Sequence, residues 1–411
     1  MKRVSIILLL FFVARSVNGQ QNTLEFFIDR ALENSPLLKD LRNQAEANLA
    51  DSQLVIAGYK PQVTGSSYNS YAPVIKGFGY DKAITNGSNI AALIGINKTI
   101  VGKNNLGSQF ESIRLNNETA NNTGKITEQE LKRSVTAQYI TTWSDLLQID
   151  FNREILDLLK KEEVLLKVLT AKNVYRQTDY LAFLVTLQQQ DLLLKQLSIQ
   201  YRNDVGTLNY LSGVVDTGSV TLIAPAIELN TLPELASSVF FHQFTLDSLK
   251  LKNSRDLLNY SYKPKINLFA DGGYNSSLAY RAYKNFGVSL GISLSVPIYD
   301  GQQKKIRESK LALAEKTITG YKDYYAKQYE QQLAQLKQQL SATERLLLDI
   351  REQIKYAETL ITVNGKLLQT GETRIADYIL AINNYLNAKN LLTQNRVNRL
   401  QIINEINYWN R

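Results

Sequence analysis

The sequence predicts a mainly α chain with membrane β-strands, written twice from one plan. Three observations predict it. One strand, from Phe286 to Tyr299, alternates apolar and small residues over an unusual length. The strand from Lys265 alternates too, Leu93 breaks the pattern in the strand near Asn89, and the one from Gln62 is mainly polar, rescued by Tyr68 and Tyr71. One segment, YKPQVTGSSYNSYAP from Tyr59, returns 203 residues later as YKPKINLFADGGYNS from Tyr262. The helical stretches are too long for a globular core of this size.

The elements follow in order. The start, MKRVSIILLLFFVARSVNGQ, has a basic head (Lys2, Arg3), an apolar run from Ile6 to Ala14, and small residues Val17 and Gly19 before a cut. This pattern predicts a secretory signal peptide over 1–19 and a mature chain from Gln20. No later run approaches twenty apolar residues, so no helical membrane anchor is expected. A first repeat, 20–210, then comprises a helical segment from Leu24 to Ala57, strands at about 62–71 and 89–101, a long helix from about Asn105 to Val174, and a returning helix from Tyr180 to Leu208. The stretch NNETANNTGK, Asn116 to Lys125, is a weak helix former and is expected to fray or bend that long helix. A connector, 211–234, follows. Gly213, Gly218, Pro225 and Pro233 break helices there, and VTLIAP suits one short strand.

The second repeat, 235–411, runs through a helix from Leu235 to Tyr260, strands at about 265–274 and 286–299, a long helix from Gln302 to Thr370, and a shorter helix from Ile375 to Tyr408. The segment Gln302–Thr370 contains no proline. At 1.5 Å per residue such a helix is about 100 Å long, and apolar residues returning every three or four positions suit long helices paired along a narrow seam. FGVSLGISLSVPIYDG carries Phe286, Val288, Leu290, Ile292, Leu294, Val296 and Ile298 on one face and glycine, serine and proline on the other. An apolar outward face and a small or polar inward face fit a water-filled barrel in lipid. Four strands cannot close such a barrel, and open edges in lipid leave backbone groups unpaired. The missing strands must come from other copies. Three copies make twelve strands, and the residues alone allow two or four copies as well.

Composition excludes other chemistry. The chain has no cysteine and one histidine, His242, which is expected to cap or pack near a helix start. Thiolate and His-cluster metal sites are therefore excluded, and no metal or cofactor is expected. Net charge is +9, or +6 without Lys2, Arg3 and Arg15. Basic residues are interspersed with acidic ones and form no patch with interleaved aromatics, so no nucleic acid partner is expected. Acidic side chains are scattered with no pair placed for acid–base work, and no enzyme is expected.

YKPKINLFADGGY, FGVSLGISLSVPIYDGQQKKIRESK and LLQTGETRIADYILAINNYLNAKN, taken in order, resemble the TolC-like outer-membrane efflux proteins, from about Leu24 to Trp409. The resemblance implies a homotrimer with a twelve-stranded β-barrel in outer-membrane lipid, continuous with a long α-helical barrel in the periplasm. It also implies docking to a periplasmic adaptor protein and an inner-membrane transporter, and passive export of drugs, ions or polypeptides. The alternative is a non-conducting outer-membrane coiled-coil scaffold or adhesin.

The resemblance also implies roles for particular residues. Gly371, between Thr370 and Glu372, matches a tip where adaptor hairpins dock. The first tip, YRQTDY with Arg176 and Gln177, lacks a glycine. Asp377 matches a pore-constricting aspartate, and a ring of three such carboxylates would attract cations and raise carboxylate pKa values. Thr373 and Arg374 lie near the family's gate arginine, with the arginine shifted by one. Leu380 occupies the second aspartate position, and Ala182 is expected to be the first-repeat equivalent of Asp377. Tyr378 suits either an apolar gate or a helix–helix core. Aromatic residues favour membrane–water interfaces. Tyr68, Tyr71, Tyr274, Tyr280 and Tyr283 cluster at the far ends of the strands, and Tyr59, Tyr262 and Tyr299 at the near ends, so two girdles are expected. The loops Ala72 to Ser88 and Asn275 to Asn285 would then face outside.

Overall fold

The computed structural model describes residues 22–80, 87–215, 220–231, 238–278 and 281–409. The signal peptide, the mature start at Gln20, Gly218, Pro233, the helix start at Leu235, and Tyr280 lie outside the described residues.

The chain order is α1 (Leu24–Asn34), α2 (Pro36–Gly58), β1 (Gln62–Tyr71), β2 (Ser88–Ile100), α3 (Lys103–Ala171), α4 (Gln177–Ser212), α5 (Val239–Ser261), β3 (Lys265–Ser276), β4 (Phe286–Ser295), α6 (Gln303–Thr370) and α7 (Ile375–Trp409). Helix, strand pair, long helix and shorter helix thus follow one another twice. The described residues fall into two compact units that cut across this order. One takes Asp40–Gly124 and Phe240–Tyr324. The other takes the described part of Met1–Lys39, Lys125–Val239 and Tyr325–Arg411.

The first unit holds one antiparallel sheet in the order β1-β2-β3-β4. The registers Val63↔Ile96, Ile96↔Ala270 and Ala270↔Leu290 place Val63, the isoleucines of β2, Ile266 and Leu268 of β3 and the large residues of β4 on one face, which β1 fills out with Ser67 and Asn69 and β2 with Lys98. On β4 that face stands open to solvent: Val288 is 85% exposed and Leu290 83%. The other face carries Asp271, whose carboxylate accepts a 2.5 Å hydrogen bond from Ser289 Oγ. It also carries Phe269, whose ring lies where a Cβ on Gly291 would sit, at 2.4 Å. A larger residue at 291 would displace that ring.

Two strand expectations need correction. β4 ends at Ser295 and not Tyr299, because Pro297 has no N–H to extend a ladder. β3 runs on to Ser276, whose Oγ accepts from the Leu278 amide and from Asn285 Nδ2. The weak helix former NNETANNTGK does not bend α3, which is continuous. Asn122 there is 4% exposed and donates to Gln243 Oε1 at 3.1 Å, so packing overrides propensity. Leu24 to Ala57 divides at Ser35, where Pro36 opens a new helix and Ser35 Oγ accepts from the Leu38 amide.

The second unit is a helical core. Between Leu336 and Ala357 the buried positions on α6 are Leu336, Leu340, Thr343, Leu347, Ile350, Ile354 and Ala357, stepping alternately by four and three. That heptad spacing makes a coiled-coil seam. It meets Ile402, Ile403 and Ile406 of α7 near one end and Ala388 and Leu392 further along. Each such aliphatic side chain, once buried, contributes about 1.5–3 kcal/mol. VTLIAP forms no strand. Its Leu222 instead packs with Leu24, Phe27, Val135 and Leu208, and the Tyr139 hydroxyl donates to the carbonyls of Ile223 and Asn22 at 2.7 and 2.9 Å. His242 lies exposed in the first turn of α5.

One buried polar group stands out in this core. Asp145 of α3 is 2% exposed, and its Oδ1 accepts from Gln200 Nε2 at 3.1 Å. Its Oδ2 has no partner that could donate to it, and Asp204 of α4 is its acidic neighbour. Burial first, and then Asp204, push the Asp145 carboxyl up to about 7. Because its folded pKa is raised, the group stabilises the fold at low pH and loses that contribution as pH climbs from about 4 to about 7. Asp145→Asn should therefore raise the thermal midpoint at pH 8, and the gain should shrink steadily as pH falls toward 4. An equal effect at all pH values would show that Asp145 is ionised throughout.

Candidate functional site at the helical turns

Two reversals join the long and short helices, Lys172–Arg176 between α3 and α4 and Gly371–Arg374 between α6 and α7. They close in the same way. The Asn173 amide donates to Thr170 O and the Val174 amide to Leu169 O, both at 3.0 Å. The Gly371 amide donates to Leu368 O at 3.3 Å and the Glu372 amide to Leu367 O at 2.9 Å. This pair of bonds, reaching three and five residues back, is the Schellman closure, which needs a left-handed residue. Gly371 fills that position with φ 78° and Asn173 with φ 59°. The first turn thus lacks a glycine because asparagine, the other residue that tolerates this region, stands in its place.

The shared closure sets the register between the two turns. Asn173 matches Gly371, Arg176 matches Arg374, Asp179 matches Asp377 and Tyr180 matches Tyr378. The expectation that Ala182 is the counterpart of Asp377 is therefore corrected: Ala182 matches Leu380. The shift arises because Asn173, not a glycine, marks the turn.

The turns pack on each other. A Cβ on Gly371 would lie 2.9 Å from Val174 Cγ1. The Tyr175 hydroxyl lies 2.8 Å from Leu368 O and 3.1 Å from Thr373 O, a bifurcated bond that fastens one turn to the other. Sequence reading passed over Tyr175, and only its place directly before the helix cap hinted at a role. Thr373, half-buried, donates to Asn364 Oδ1 at 3.2 Å. Thr370, Glu372, Arg176 and Gln177 are exposed around the turns.

Tyr378 is corrected as a constriction residue. It is 1% exposed and packs with Ile155, Leu159, Phe183, Leu368 and Ile382, so its ring is spent inside the chain. Burial, with the nearby Glu162 carboxylate, raises its hydroxyl well above the usual range. Tyr180, its counterpart, donates to Glu163 Oε1 at 2.6 Å.

Asp377 and Arg374 are brought together. Arg374 Nε and Nη2 donate to Asp377 Oδ2 and Oδ1, both at 2.9 Å, in a bidentate pair open to solvent. The guanidinium holds the Asp377 carboxyl below its ordinary value. A rise was expected from a carboxylate ring; within the chain the adjacent cation sets the direction instead. Among the described residues Arg176 and Asp179 form no such ion pair, so only the second turn clasps its carboxylate.

The aromatic residues of the sheet divide by parity. Tyr71 and Tyr274 stand on the apolar face at one end, where Tyr274 meets Phe286 edge to face at 5.2 Å. Tyr68 pairs with Ala91 and so stands on the opposite face, one residue out of step with Tyr71. Tyr299 is exposed beyond the end of β4. Among the described residues no group of three His, Cys, Asp or Glu is placed to hold a metal ion, and no helix is long and apolar enough to cross a membrane.

Two substitutions probe the turns. Tyr175→Phe should cost about 1 kcal/mol locally, seen as several-fold faster amide exchange at Glu372. Unchanged protection would show that the hydroxyl does not fasten the turns. Gly371→Ala should cost about 1–2 kcal/mol, because alanine is strained at this left-handed φ, with Val174 forced aside. An unchanged thermal midpoint would contradict the turn geometry.

No protein-family profile matches the chain, and no curated protein matches it in sequence. Solved structures do match. The outer membrane protein VceC from Vibrio cholerae superposes with a TM-score of 0.76 at 12% identity, over 94% of this chain and 96% of that one. CusC, solved in a study of folding and transmembrane channel formation, gives 0.77 at 12% identity over 95% and 92%. The open state of the Neisseria gonorrhoeae MtrE outer membrane channel gives 0.74 at 12% identity over 96% and 93%. The chain has the fold of these outer-membrane channels, the TolC-like fold that its own motifs resemble.

Proposed function

We propose that three copies of this chain form an outer-membrane channel, the passive exit duct of a tripartite efflux or secretion system. The observation that carries this reading is the sheet. Four strands, in the order β1-β2-β3-β4, present an aliphatic face that is solvent-exposed in the single chain: Phe286, Val288, Leu290, Ile292 and Leu294 of β4 are 64–85% exposed. In water that face and the outer edges of β1 and β4 are a liability. In lipid the face is satisfied, and the edges pair when β4 of one copy meets β1 of the next. The likeness in fold to outer-membrane channels supports the same reading.

In this arrangement the sheets make a twelve-stranded barrel in the outer membrane, and α3, α4, α6 and α7 of three copies make a periplasmic helical barrel. The two turns form its inner rim. A periplasmic adaptor protein grips the exposed Thr370–Glu372 and Arg176–Gln177, and an inner-membrane transporter supplies the cargo. The chain does no bond chemistry: it lowers the barrier to crossing by holding water where lipid would be. The Arg374–Asp377 pair then sits at the inner mouth, where compensated charge gives a weaker cation preference than a bare carboxylate ring would.

Planar-bilayer recordings of the purified oligomer test this. Arg374→Ala should free the carboxylate and shift the reversal potential toward cations. Asp377→Asn should shift it toward anions. Reversal potentials unchanged in both variants would remove the pair from the conduction path, and an oligomer with no conductance would overturn the duct.

A further inference from the structure

Within the sheet-bearing unit, a cavity of about 730 Å³ opens where the strands give way to helices. Lys103, Lys263 and Lys265 line it, and among the described residues no acidic side chain does. Among the described residues none of the three lysines forms an ion pair. Lys263 Nζ lies 4.5 Å from the centre of the Tyr260 ring, which steadies it without cancelling its charge. The first turn of α3, Lys103 to Asn105, forms part of the wall; the Asn105 amide donates to Gly102 O at 3.0 Å, and among the described residues the Lys103 and Asn104 amides have no backbone acceptor. The three lysines stand exposed around one hollow, so an anion lodged there would gain from all three.

The rest of the lining narrows the kind of anion. Ile100 belongs to the wall and also ends the apolar face of β2, where it pairs with Ile266, itself paired with Leu294. The cavity therefore joins a basic chamber to an aliphatic strip. Tyr59, whose hydroxyl accepts from Gln109 Nε2 at 2.6 Å, lines the same hollow, at the level where aromatic side chains meet a lipid headgroup. A small free anion would use the chamber and leave the strip idle. A lipid uses both.

We propose that this cavity holds the phosphate headgroup of an anionic phospholipid, with an acyl chain lying along Ile100, Ile266 and Leu294. The inference rests on the membrane reading above. The headgroup accepts from the three lysine ammonium groups and the opening amides of α3, and pins the base of the sheet to the lipid leaflet on that side.

Native mass spectrometry of the detergent-purified full chain tests it, with phosphatidylglycerol, phosphatidylcholine and inorganic phosphate as probes. The wild-type chain should retain phosphatidylglycerol over phosphatidylcholine by at least about tenfold, as expected for three lysines near a headgroup. K103Q/K263Q/K265Q should lose that preference, and equimolar inorganic phosphate should not displace the lipid. Equal retention of the two lipids overturns the proposal, as does a preference that survives the triple substitution. Displacement by inorganic phosphate also overturns it, in favour of a free-anion site. Membrane fractionation of the same two chains reads the other premise separately: absence of both from the outer membrane sinks the duct, while lipid retention in detergent is measured independently.

Discussion

Everything in this chain answers to the two unpaired outer edges of its sheet. Among the described residues, β1 and β4 each pair with a neighbouring strand on one side only, beside a face that is aliphatic and exposed on β4. A soluble protein would shorten, charge or cover such edges. Here β4 runs for ten residues without a charge. Its outward residues are large, and its opposite face is made small by Gly287, Ser289, Gly291 and Ser293, which leaves room for Phe269 to lie across Gly291. On the reading proposed above, a sheet of this kind is half of a contact whose other half is a second copy.

Much of this was legible in the residues. Strand alternation depends only on the order of large and small side chains, so β4 announced its two faces directly. Heptad spacing on α6 did the same for the helical seam. Other features were hidden because they depend on three-dimensional partners. Nothing local marks Tyr175 as a fastener, since its acceptors are carbonyls almost 200 residues away. NNETANNTGK looked like a break because propensity is a local quantity, whereas Asn122 finds its partner on α5. The match of Asn173 to Gly371 was missed because two different residue types satisfy one backbone requirement.

The candidate site was the least legible part. Asp377 drew attention as a lone carboxylate, and its meaning changed when Arg374 proved to clasp it from one turn away. Three residues apart at the start of a helix is a spacing that favours such a pair, so the signal was present but read singly. Tyr378 shows the opposite error. An aromatic residue beside a tip suggests a gate, yet the α-helical period puts it among Ile375, Ala381 and Ile382, all buried.

The heptad seam on α6 has a further consequence, for how such chains diverge. Its apolar stripe is held from Leu336 to Ala357 by steps of four and three. Gaining or losing one residue there turns everything beyond it by about 100° and swings the stripe off α7. Losing seven, matched by seven on the returning helix, leaves every contact in phase. Along this stripe a change in length of two turns disturbs the packing least, and it alters the reach of the helix by about 10 Å.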